Sequence, residues 1–263
     1  MVSIRPMFPA AAVLVLAICG DFLILRASAA QLAEAKPVNI PPAERIPVLT
    51  PEQRGDIFMA RKMYRDAADT YKGCDQTSPV IVNKIGIAYH QMLELELAKK
   101  HYERAIKLNR QYAEAINNLG TIHYAKKSYR RAVGQYKRAL KINPNSASIY
   151  SNLGTAHFAR KKYKPAFEAY QTALSIDPEV FEHRNTHGVL LQERSVQERA
   201  KFHFYLAKTY AKAGMNDRAL LYIRKALEEG FREKHKLKED PEFAGLQALP
   251  EFAELLAMEP RVL

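Results

Sequence analysis

Small and apolar residues recur through the middle of this chain at a fixed interval. Gly86, Gly120 and Gly154 stand 34 residues apart, preceded by Ile85, Leu119 and Leu153. Twelve residues after each glycine comes an alanine (Ala98, Ala132, Ala166), then after four a tyrosine (Tyr102, Tyr136, Tyr170), and after three more another alanine (Ala105, Ala139, Ala173). Pro144 and Pro178 close the second and third units. Apolar positions three and four apart put these residues on one face of a helix. The prolines cannot continue a helix, so the chain turns there. Each unit therefore predicts two antiparallel helices, A then B. Glycine and alanine at the crossing let the axes approach to about 8–10 Å, and the larger residues fill the space around them. One pair cannot bury its apolar face alone, so neighbouring units must stack into a curved solenoid.

This signature, in phase three times over residues 79–178, resembles the tetratricopeptide repeat. The resemblance implies an all-α solenoid of about five helical hairpins with short C-terminal capping helices. Thr50-Pro51-Glu52-Gln53 reads as a capping box with proline at the first helical position. It opens a degenerate first repeat over 51–78, where Gly55, Phe58, Ala67, Tyr71 and Cys74 take the repeat positions. Cys74 stands where alanine is usual and reads as a small packing residue. Leu206, Ala207, Tyr210, Ala219 and Ala226 restore the pattern over 199–231, with Ile223 replacing the tyrosine and Phe231 the proline. Residues 179–198 are an orphan helix or an insertion. Phe181 to Arg194 begins like a helix A, with Gly188 at the small position, but no helix B follows. Residues 232–263 predict a cap of two short amphipathic helices, opening at Asp240-Pro241 and Leu249-Pro250.

The N-terminus has a different pattern. Arg5 precedes an apolar run from Pro9 to Gly20, continued by Phe22 to Leu25, and Ala27-Ser28-Ala29-Ala30 supplies small residues for a signal peptidase. Residues 1–30 are expected to be an export signal cleaved after Ala29 or Ala30, leaving a periplasmic or secreted chain. Retained, the segment is a membrane anchor, in which Asp21 costs about 2.5–3.5 kcal/mol near the bilayer centre. Leu16-Ala17-Ile18-Cys19 resembles a lipoprotein box, but Ile18 occupies a place that requires a small residue. Residues 31–50 hold Pro37, Pro41, Pro42 and Pro47 and read as an extended linker.

Composition narrows the function. With 263 residues, 48% hydrophobic and 26% charged, the chain is neither a disordered tail, a multi-span membrane protein nor a collagen-like fibre. Removal of Cys19 with the signal leaves one thiol, which forms no disulfide or cysteine zinc cage. His123 and His157 fall where Tyr89 and Tyr210 stand in other units, and read as packed imidazoles. His183 and His187 are four apart, with His203 as a third candidate ligand, but no His-Glu-x-x-His occurs and zinc needs three or four ligands. No nucleophile elbow, Walker loop or dinucleotide fingerprint is present. Neither an enzyme, a cofactor nor a metal site is expected.

The resemblance implies that helices A line an inner wall that binds a protein or peptide. Its residues here are Asn83, Lys84 and Ile87 in the first regular unit, Asn117, Asn118, Thr121 and Tyr124 in the second, and Asn152, Thr155 and Phe158 in the third. An asparagine amide both donates and accepts, so it can pair with a peptide bond whatever the side chain. Asn118 and Asn152, one repeat apart, form a short ladder, and Tyr124 and Phe158 are expected to add apolar pockets. The family's carboxylate clamp needs Lys or Arg where Ser148 and Asn152 stand, so that variant is not expected.

Charge supplies the alternative. Of the net +12, +11 lies in residues 79–178, which hold 17 Lys plus Arg and 6 Asp plus Glu. Lys126, Lys127, Arg130, Arg160, Lys161, Lys162 and Lys164 cluster at the turns between helices A and B. Stacking should align them into one basic edge that attracts an anionic membrane surface, lipopolysaccharide phosphate or an acidic protein, an attraction that fades with salt. Nucleic acid is not an expected partner, because export separates the two and no base-stacking platform is visible. The main expectation is a protein-interaction scaffold working through the inner wall. The rival is a membrane-peripheral envelope assembly factor working through the edge.

Overall fold

The computed structural model describes residues 48–182 and 195–258, and these contain no strand. The expected signal segment, most of the proline-rich linker, His183, His187 and Gly188 lie outside the described residues. Five helical pairs follow one another. They are α1 (Pro51–Ala60) with α2 (Tyr64–Lys72), α3 (Pro79–Gln91) with α4 (Leu95–Leu108), α5 (Ala113–Ala125) with α6 (Tyr129–Ile142), α7 (Ala147–Ala159) with α8 (Tyr163–Ile176), and α9 (Val196–Lys212) with α10 (Asn216–Glu228). The first helix of each pair is an A, the second a B. Each helix packs on the next, and α3 also touches α5 as α5 touches α7, so helices A lie side by side along one face of an all-α helical-hairpin solenoid, the wall that the repeat resemblance places on the inner side.

The small positions do what their spacing predicts. Gly86, Gly120 and Gly154 each face the ring of the tyrosine sixteen residues on, and so does Gly55 with Tyr71. Tyr71, Tyr102, Tyr136 and Tyr170 are all at most 1% exposed. In the last pair Ala207 takes the glycine position and Ile223 the tyrosine position, both fully buried. The smaller partner makes room for the extra methyl.

Every A–B turn has one geometry. Lys62, Leu93, Lys127, Lys161 and Gly214, each seven residues after the small position, have φ between 56° and 73°. The next residue's N–H then donates back across the helix end, as in Met63 to Phe58, Glu94 to Tyr89, Ser128 to His123, Lys162 to His157 and Met215 to Tyr210, at 2.8–3.0 Å. This is a Schellman closure, usually built on glycine because a left-handed backbone crowds a Cβ. Only the last turn has that glycine.

Both halves of the Thr50 capping box form. α9 starts at Val196, capped by the Ser195 hydroxyl, which accepts from the Glu198 N–H at 3.2 Å. The C-terminal cap differs from expectation. A five-residue helix α11 (His235–Glu239) comes first, the Pro241 segment is a 3₁₀ turn through Leu246, and only α12 (Pro250–Ala257) is a regular helix of the two expected. Phe243, Leu246, Phe252 and Leu255 still bury themselves against α9 and α10. Lys208 on α9 holds the cap through Asp240 at 3.1 Å and Glu242 at 3.2 Å.

Candidate functional site

The inner wall is built by one contact repeated from pair to pair. Lys84 Nζ reaches back to Glu52 Oε1 at 2.7 Å, Asn118 Nδ2 donates to Asn83 Oδ1 at 3.1 Å, and Asn152 Nδ2 donates to Asn117 Oδ1 at 3.1 Å. In each case the sixth residue of one repeat meets the fifth of the repeat before. The rungs are joined, because Asn117 Nδ2 donates to Asn118 Oδ1 at 3.4 Å and Asn83 Nδ2 donates to Glu114 Oε1 at 3.0 Å. Donors therefore run in one direction, from Asn152 through Asn117, Asn118 and Asn83 to a carboxylate. A chain ending on a charged acceptor is stronger than its separate bonds.

This changes the role expected of the asparagines. Asn118 and Asn152 do not pair along one row, since the offset between repeats sets the sixth position against the fifth. Asn83, Asn117, Asn118 and Asn152 are 1–5% exposed, with their amides committed to one another. Beside them Thr121 donates to the Asn118 carbonyl at 2.7 Å, and Thr155 donates to the Ser151 carbonyl at 2.9 Å while accepting from the buried Tyr170 hydroxyl at 3.3 Å. Ile87 is buried in the apolar core that also holds Val82, Tyr102 and Ile116.

The two ends of the wall differ. Near α1, Lys84 also pairs with Asp56 at 2.7 Å, and Asp56 accepts from the Tyr71 hydroxyl at 2.6 Å. Burial alone would lower Lys84, but the bonds and charges of Asp56 and Glu52 prevail and hold it above the usual lysine value. Burial and Glu114 push the Tyr112 hydroxyl well above the usual tyrosine range. Toward α9 the wall is aromatic. Phe158 is not an open pocket: its ring lies edge-on to Tyr163 at 5.4 Å and to Phe202 at 5.5 Å, and Tyr163 stacks on Tyr205 at 5.1 Å. Burial pushes the Tyr205 hydroxyl up to about 12. Tyr124 is half-buried against Tyr129 at 5.1 Å. Sequence reasoning singled out neither Glu52 nor Asp56 as a wall residue. Their signal was a carboxylate at the fifth and ninth positions of the first unit, opposite a lysine at the sixth of the next.

The basic residues occupy equivalent places one repeat apart, Lys126 with Arg160, Lys127 with Lys161, and Arg130 with Lys164, at the α5–α6 and α7–α8 turns. Lys126 pairs with Glu96 at the start of α4. Among the described residues, no ion pair involves Lys127, Arg130, Arg160, Lys161, Lys162 or Lys164.

The chemical candidates disperse. His203 Nδ1 lies 2.8 Å from Glu229 Oε2, and Arg199 flanks that carboxylate at 3.3 Å. Burial lowers His101, His123, His157 and His203, the last against the opposing pull of Glu229. His123 and His157 are half-buried at the tyrosine position. Cys74 donates to the Thr70 carbonyl at 3.6 Å, and burial pushes its thiol up. Among the described residues no three His, Cys, Asp or Glu side chains are grouped to hold a metal. Nor is any described helix long and apolar enough to cross a membrane.

Family models described as tetratricopeptide repeats match residues 81–112 and 147–180, and one described as a TPR repeat matches residues 120–160. A comparison with curated protein sequences gave no match. Similar solved structures include a crystal structure of MamA, at 23% identity over 70% of this chain and 96% of that one, with a TM-score of 0.46. MamA residues 41 to the end from Desulfovibrio magneticus RS-1 are 19% identical over 68% of this chain and 92% of that one, with a TM-score of 0.47. The first TPR of Spaghetti (RPAP3), bound to the HSP90 peptide SRMEEVD, is 24% identical over 42% of this chain and 90% of that one, with a TM-score of 0.41.

Proposed function

The chain is a tetratricopeptide repeat protein, and on that premise we propose that it is a non-enzymatic protein-interaction scaffold holding a partner segment along the inner wall. The observation that carries this reading is the run of rungs from Glu52 to Asn152, which ties four successive helices A into one surface. A wall fixed in advance loses little freedom when a partner binds. The asparagines set its shape from below. Recognition falls to what stands above them: exposed Glu114 and Ser148, and half-buried Lys84 and Tyr124.

A photo-crosslinking residue placed at Tyr124 or at Ser148 in intact cells tests this, with Glu103 on α4 as the outward control. Discrete protein adducts from the two inner positions, missing from the control, are expected. Adducts independent of position would defeat the proposal.

We propose in addition that residues 1–30 export the chain, supported by the apolar run and by Ala27-Ser28-Ala29-Ala30. The mass of the mature protein decides, since cleavage leaves it beginning at Ala30 or Gln31. A chain that keeps Met1 and faces the cytoplasm rejects export.

A further inference from the structure

Between Glu114 and Glu168 the chain has no carboxylate, yet eleven lysines and arginines fall there. Five of them, Arg130, Arg131, Lys137, Arg138 and Lys141, are exposed on α6. At about 100° per residue they occupy, with Gly134, roughly one third of the circumference. The stripe runs roughly 16 Å along the helix at about 1.5 Å per residue. The other helices B serve as internal controls. Equivalent positions hold Glu96 and Glu103 on α4, Glu168 on α8, and Asp217 and Glu228 on α10. Only α6 presents one sign. Among the described residues none of its five cations is in an ion pair, although Arg138 donates to the Arg110 carbonyl at 3.3 Å.

Gly134 is the second, independent sign. It sits in mid-helix, where glycine is disfavoured relative to alanine. Gly86, Gly120 and Gly154 each admit a tyrosine ring, but a Cβ built on Gly134 would meet nothing within 4 Å. No packing inside the protein accounts for it. It leaves bare backbone at the centre of the cationic stripe, where something outside can come close.

We infer that this outer face of α6, widened by the turn lysines Lys127, Lys161, Lys162 and Lys164, docks on an anionic lipid surface. The patch spreads over two repeats instead of following a groove. The stripe on α6 carries no aromatic residue on which a nucleic-acid base would stack. A lipid surface offers negative charge without register, and clusters of four to eight Lys or Arg suit it. The inference does not depend on the inner wall.

Vesicle binding by the full chain tests it, using phosphatidylcholine alone and two parts phosphatidylcholine to one part phosphatidylglycerol. The neutral vesicles measure whatever the apolar N-terminus contributes. Binding to the anionic vesicles should be stronger and should fade at high salt. Arg130→Gln with Lys137→Gln and Lys141→Gln should lose roughly fivefold per charge, about a hundredfold together. Lys161→Gln with Lys162→Gln and Lys164→Gln should lose a smaller part. Lys100→Gln with Lys107→Gln and Lys238→Gln removes as much net charge elsewhere and should change binding by less than about twofold. All these side chains are exposed, so an unchanged circular dichroism spectrum is expected for each variant. Equal losses in the α6 set and the control set would overturn the inference, as would no loss in the α6 set. Tighter, α6-dependent binding to duplex DNA or polyglutamate than to vesicles would assign the face to another partner and overturn it too.

Discussion

Placing alanine at Gly120 tests the packing that defines the solenoid. A Cβ there would lie 2.5 Å from Cε1, 2.8 Å from Cδ1 and 3.1 Å from Cζ of Tyr136. Comfortable carbon contacts begin near about 3.5 Å. The ring is fully buried, so it has no open space to withdraw into. Overpacking of this kind costs about 1–3 kcal/mol, occasionally more. The better helix propensity of alanine returns about 1 kcal/mol. The net expectation for Gly120→Ala is a loss of about 0–2 kcal/mol, taken as the difference of those two effects. Tyr136→Ile alone leaves a void and should cost about 2–4 kcal/mol. The chain contains the compensated pair itself, because Ala207 faces Ile223 in the last repeat where the others have glycine and tyrosine. The double variant should therefore be more stable than the sum of the single effects by about 1–3 kcal/mol. Urea unfolding followed by circular dichroism measures all three. Strict additivity would refute the reasoning, because it would mean that the methyl and the ring do not compete for one space.

Asn118→Ala removes one rung and the bond that joins it to the next, leaving Asn83 Oδ1 and Asn117 Nδ2 without partners; a loss of about 2–6 kcal/mol in urea unfolding is expected, at about 1–3 kcal/mol for each stranded buried group. Leu93→Gly should stabilise the chain by about 1 kcal/mol in the same assay, since Leu93 has φ 63° and is 78% exposed, so relief of the left-handed strain outweighs the lost side chain. Burial lowers His101, His123, His157 and His203 below the ordinary value of 6.5, so the unfolded chain takes up protons before the folded one. Their contribution is complete above that pH and is lost as the pH falls through 6.5 toward the folded values. Thermal melts between neutral and mildly acid pH should show the fall, and His123→Tyr should make it shallower, a flat profile in the parent chain being the contrary result.

Much of the fold was legible in residue size. Glycine, alanine and tyrosine at fixed offsets leave one arrangement of two helices, and the Thr50 box and the prolines mark where helices start and turn. The turn conformation was less legible. Lys62, Leu93, Lys127 and Lys161 take a left-handed backbone without the glycine that signals it, because closing the hairpin outweighs their local preference. At the C-terminus, Asp240-Pro241 resembled a helix start, but a six-residue segment ending in packed Leu246 closed as a 3₁₀ turn.

The sequence by itself determined the period, the pairing of small with large positions and where the positive charge is concentrated. These follow from helical geometry and from residue type, and both act within a single hairpin. Only the tertiary structure decided what the wall residues touch. The rise and rotation from one hairpin to the next place Asn118 against Asn83, thirty-five residues away, instead of in a row with Asn152. The same step sets Lys84 against Glu52 and brings Lys126 to Glu96. That step is the sum of many small packing contacts between hairpins, and no local stretch of sequence fixes it.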